Sequence, residues 1–65
     1  MKAAEIRELT DEELARNIED DRREGLNLRL QAQTGQLENT ARIREVRREL
    51  ARLETERTAR RRMSN

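Results

Sequence analysis

The stretch from Thr34 to Leu53, TGQLENTARIREVRRELARL, stops one helix, starts another and loads the second with arginine. Gly35 suits the left-handed conformation that ends a helix, and Asn39 suits the capping position of the next. Between them the connection is too short and too poor in glycine for a flexible linker, so the spacing predicts a tight turn between antiparallel helices. Leu37 is placed to close that end. Beyond the turn, Ile43, Val46, Leu50 and Leu53 recur at three- and four-residue steps and define one apolar side of the second helix.

Upstream, Leu9-Thr10-Asp11-Glu12-Glu13-Leu14 carries the signature of a capping box with a hydrophobic staple, so the first long helix is expected to begin at Asp11. Its acidic first turn complements the positive end of the helix dipole. From Leu14 the stripe runs through positions 14, 18, 21, 25, 28 and 32. Asp21 and Gly25 interrupt it, which predicts a thin middle, while Leu26 and Leu30 lie beside it, free to widen the seam or to meet a partner. Ala3 to Glu8 is expected to form a short helical turn whose Ile6, with Leu9, folds back onto the hairpin. The fold class is therefore all-α: two long antiparallel helices forming a hairpin, a short coiled coil, with a short N-terminal helical turn. As a single domain over residues 1–65, it divides into helix one at about 11–34, a turn at 35–39, helix two at about 40–60 and a fraying basic tail at 61–65. With the turn near 36–38, facing residues should have numbers summing to about 75, which sets Asp21 beside Glu54 and near Arg57. An Asp21–Arg57 ion pair across the seam is the expectation.

The run GQLENTARIREVRRELARL is similar, almost residue for residue, to the signature of the family of large ribosomal subunit protein number twenty-nine. LNLRLQAQTGQLENT resembles that family's FNLRxQxATGQLEN segment, and AAEIRELTDEEL resembles its opening, so the likeness covers roughly residues 1 to 54. The resemblance implies a small helical hairpin that is a structural constituent of the large ribosomal subunit, bound to large-subunit ribosomal RNA beside the polypeptide exit tunnel. It also implies a neighbouring ribosomal protein, number twenty-three of the large-subunit series, a docking region for nascent-chain factors, and a cytoplasmic location in the ribosome.

Charge is divided along the chain. The formal net charge is only +1, yet residues 1–24 hold nine acids and five bases, while residues 25–65 hold ten bases and five acids. Lys2 is the one lysine; every other base is arginine, whose planar fork suits phosphate and whose face stacks on bases. On a helical wheel, Arg44, Arg48 and Arg52 oppose the apolar side, Arg47 flanks them, and Ala51 leaves room for a sugar-phosphate backbone to approach. Glu45, Glu49 and Glu56 fall in a third sector. Such sorting points to a polyanion; the plainer reading is a solvated face of arginine–glutamate pairs. Around the turn, Arg29, Gln36, Asn39, Thr40 and Arg42 could bond phosphate, ribose hydroxyls or exposed bases, or serve turn chemistry alone. The expected RNA-binding set is thus Arg29, Gln36, Asn39, Thr40, Arg42, Arg44, Arg47, Arg48 and Arg52.

Composition excludes several other roles. With no cysteine and no histidine, the chain has no disulfide, thiolate chemistry, soft-ligand metal site or imidazole base. With no aromatic residue in 65, its core must be a seam rather than a pocketed interior, so neither catalysis nor a cofactor is expected. No apolar run is long enough to span a bilayer, and no signal-peptide core follows Met1, so the cytosol is the expected compartment. The competing reading is an RNA-independent helical adaptor that pairs with another helical protein through Leu26, Leu30 and the acidic helix. A DNA-binding basic zipper fits less well, because the heptads after the basic stretch are too few.

Overall fold

The computed structural model describes residues 1–35 and 40–63. Three helices follow in order: α1 (Ala3–Glu8), α2 (Asp11–Gln33) and α3 (Ala41–Met63). α2 and α3 pack antiparallel as a hairpin with extents of 45 × 17 × 16 Å, so the molecule is scarcely thicker than its helices.

α2 starts where the capping signature sets it. The Glu13 amide donates to Thr10 Oγ1 at 3.2 Å, and the Thr10 amide donates to Glu13 Oε1 at 3.0 Å. These bonds satisfy two otherwise orphaned donors and hold the Glu13 carboxyl below its ordinary pKa. At the other end, Gly35 adopts φ +74°, the left-handed conformation that a side chain would strain. Its amide donates to Ala32 O at 3.2 Å.

α1 lies alongside α3 in the same direction. The Met1 ammonium pairs with Glu49 at 3.1 Å, while Ile6 and Arg7, near the other end of α1, meet Arg60. Ile6 is buried with Leu14, Ile18 and Leu53, and Leu9 and Leu50 pack against that cluster. Each such side chain, fully buried, is worth about 1.5–3 kcal/mol. Val46 and Leu28 are also buried, while Ile43 is half-buried.

Three expectations need correction. Facing pairs such as Asp11–Arg60, Asp21–Glu49 and Gly25–Val46 have numbers summing to about 70, not 75. Periodicity fixes which side of each helix faces the other, but a slide of about one turn preserves the same seam. Asp21 therefore meets Glu49 rather than Arg57, and Arg57 stands 4.0 Å from Glu54, which Arg22 also engages. The proposed Asp21–Arg57 pair does not form. Finally, α3 runs past residue 60 to Met63, because arginine and methionine favour helix and Arg60, Arg61 and Arg62 complement the negative end of its dipole.

Candidate nucleic-acid interface

The outer side of α3 carries the arginines, and their neighbours divide them into two groups. Arg42 is pinned: its Nε donates to Glu24 at 2.8 Å across the hairpin and its Nη1 to Glu45 at 3.3 Å. Those bonds raise its pKa above the ordinary value and leave it less to offer a ligand. Arg52 donates to the Met1 carbonyl at 3.2 Å. The side chains of Arg44, Arg47 and Arg48 are exposed and make no hydrogen bond or ion pair with any described residue.

Those three remain free because the nearby acids are engaged elsewhere. Glu45 holds Arg42, and Glu49 accepts the N-terminal ammonium on one side and the Asp21 proton on the other. That Asp21 bond, followed by the ammonium, keeps Glu49 below its ordinary pKa. Asp21 moves the opposite way, from 3.8 to about 7, first through burial and then through its hydrogen bond to Glu49 and the charges of Glu49 and Glu24. The ordinary surface-pair arrangement, with Arg44 or Arg48 bound to Glu45 or Glu49, is absent among the described residues.

Of the remaining expected RNA-binding residues, Arg29 is exposed on α2 and has no partner among the described residues. Thr40 is exposed just before α3 and accepts the Arg44 amide at 3.5 Å. Gln36 and Asn39, like Leu37, lie outside the described residues, so the capping role read for Asn39 does too.

Sequence reasoning missed two features. The first is that the low relief read at Ala51 continues beyond Arg52, where Thr55 and Ala59 are exposed and Thr55 and Thr58 turn their hydroxyls back onto Ala51 O and Glu54 O. Arg62 returns to the azimuth of Arg44 after about five turns, so this small-residue strip is bracketed by cations. Wheel positions alone would have revealed it. The second is Arg60. Its Nη1 reaches Asp11 at 2.8 Å, its Nε reaches Glu56 at 3.0 Å, and its Nη2 reaches the carbonyls of Ile6 and Arg7 at 3.4 and 3.3 Å. It ties all three helices together, and no local pattern announces it.

Residues 4–60 match the family described as ribosomal L29 protein. The chain belongs to that family. It is 60% identical over 55 residues to large ribosomal subunit protein uL29 of Rubrobacter xylanophilus, covering 85% of this chain and 82% of that protein. Identity to uL29 of Geobacillus stearothermophilus is 58% over 55 residues, covering 85% of this chain and 83% of the relative. For uL29 of Desulfatibacillum aliphaticivorans it is 54% over 55 residues, with 85% and 89% covered. Among the described residues, no cluster of three acids could hold a metal ion, and no helix is long and apolar enough to cross a membrane.

Proposed function

We propose that this chain is a structural constituent of the large ribosomal subunit in the cytoplasm, and that it binds large-subunit ribosomal RNA through the outer side of α3, near the polypeptide exit tunnel. Family membership supports the ribosomal role. The RNA-binding surface rests on one observation: Arg44, Arg47 and Arg48 project from one helix while the acids that could have neutralised them are bound elsewhere. Each guanidinium that docks on a phosphate releases condensed counterions and adds a charge-assisted, often two-pronged hydrogen bond. The acidic α2 then faces away from RNA, toward solvent or protein. Ribosomal protein number twenty-three of the large-subunit series as a neighbour, and nascent-chain factors as visitors, belong to the same proposal and rest on the family resemblance.

Binding of Arg44→Ala and Arg48→Ala variants to purified large-subunit ribosomal RNA, measured between about 50 and 200 mM salt, tests this reading. Each lost contact should weaken binding and lower the log–log salt slope by roughly one. Unchanged affinity and slope in both variants would reject the RNA surface. A second reading, a helical adaptor working without RNA, is favoured by Leu26 and Leu30, which are 59% and 51% exposed one turn apart on α2. Under it, the two arginine variants bind RNA as the parent does.

A further inference from the structure

We propose that Asp21 is a positioning residue for RNA binding: from the seam it holds the Glu49 carboxylate away from Arg48 and Arg52, so that these cations stay open to phosphate. The inference rests on the RNA-binding reading of α3. Met1, Arg42, Arg48 and Arg52 line one surface hollow together with Glu45 and Glu49. How much positive charge that hollow offers depends on where the two acids turn. Glu45 is taken by Arg42 at 3.3 Å. Glu49 stands at i,i+3 to Arg52, a spacing at which opposite charges pair on a helix, yet the two do not pair. Arg52 instead donates through Nη1 to the Met1 carbonyl at 3.2 Å and keeps its other donors.

Asp21 is what occupies Glu49. The two side chains share a hydrogen bond between α2 and α3, which a pair of carboxyls can form only when one carries a proton. Asp21 is that one. It is 8% exposed and no donor reaches its Oδ2, whereas the Met1 ammonium at 3.1 Å stabilises Glu49 as an anion. Glu24 on α2 also favours the proton on Asp21, and Arg42 on α3 opposes it. Arg22, Arg29, Arg47 and Glu54 line the cleft that Asp21 borders.

Glu49 thus has the Asp21 proton on one side and the Met1 ammonium on the other, and neither donor is an arginine of the outer face. A leucine at position 21 would pack the seam better but give Glu49 no donor and set its charge against hydrocarbon. The carboxylate would then swing outward to Arg52 or Arg48 and cancel charge that a phosphate needs. A carboxyl at this seam position therefore trades packing for an open cationic surface.

Asp21→Leu should melt at or above the parent temperature yet bind purified large-subunit ribosomal RNA about two- to fivefold more weakly at low salt, the scale of one exposed ion pair. Adding Glu49→Gln removes the freed acid and should restore at least parent affinity. In the parent background Glu49→Gln should raise affinity by a smaller factor than it does beside Asp21→Leu. Asp21→Asn keeps a donor for Glu49 at every pH and should bind RNA as the parent does at about pH 6. From there to about pH 8.5 its affinity should fall less than the parent's, because the parent's Asp21, with its pKa raised to about 7, gives up the proton that holds Glu49. The two proteins share every other titrating group. Parent affinity in Asp21→Leu, equal gains from Glu49→Gln in both backgrounds, or parallel pH profiles for the parent and Asp21→Asn would each overturn the role of Asp21, with the arginine surface intact if Arg44→Ala and Arg48→Ala still weaken binding. If those two arginine variants bind RNA as the parent does, the underlying reading fails and the role of Asp21 falls with it.

Discussion

At the open end of the hairpin, Ile6, Leu14, Ile18 and Leu53 close on one another and Arg60 laces the surrounding helices together, whereas at its waist Asp21 and Gly25 stand where large apolar side chains would complete the seam. Both regions belong to the same pair of helices with the same three-four spacing. The difference lies in what the chain finishes by itself. Apolar burial and a satisfied polar clasp make the open end self-sufficient, while the waist keeps a buried carboxyl with one unpaired oxygen and a gap beside it. A thin molecule of this size has little stability in reserve, so an unfinished waist weighs on the whole hairpin.

The sharpest way to break the contrast is at Leu53, whose side chain is fully buried in the open-end cluster. Leu53→Ala should cost about 2–5 kcal/mol and leave little folded protein by circular dichroism. A loss below about 1 kcal/mol would mean that the cluster does not hold the fold.

Next comes the waist, where Asp21→Leu should raise stability by about 1–2 kcal/mol in denaturant melts, since it replaces a buried carboxyl with the missing seam residue. A net drop would contradict the account. The pH dependence sharpens the same point. Folding lifts the Asp21 pKa from 3.8 to about 7, so between those values the folded chain binds a proton that the unfolded chain lacks. Parent stability should therefore fall as pH rises from about 5 to about 7, and Asp21→Leu should abolish that slope. Glu49 acts oppositely but lower: its depressed pKa contributes stability that is lost as pH falls through its folded value, below the ordinary 4.5.

The smallest effect is expected at the clasp. Arg60→Ala removes contacts to Asp11, Glu56 and the end of α1 from a largely covered side chain, and should cost about 1 kcal/mol. Amide exchange should accelerate in Ala3–Glu8 more than at Leu28. Uniform acceleration along the chain would show that Arg60 supports the whole hairpin rather than its open end.

Features set by neighbours in sequence were legible before any coordinates. Thr10 and Glu13 cap each other because they are three residues apart, Gly35 turns left-handed because it follows the last helical residues, and Ile6 folds back because it is the apolar residue of a short amphipathic turn. The wheel likewise sorted Arg44 and Arg48 from Glu45 and Glu49. What escaped depends on distance along the chain: the slide between α2 and α3, the meeting of Asp21 with Glu49, and the reach of Arg60 to Ile6. Apolar periodicity is blind to a one-turn slide, and a long arginine can choose among several acids once the helices have docked.

Because α1 rests on α3, residues 1–8 leave the site of synthesis well before the surface that will cover them exists. Ile6 cannot be shielded until Leu53 has been added, nor the end of α1 tethered until Arg60 has. The chain closes this long loop only after Leu53 and Arg60 have been added, with α2 already able to wind on its own cap.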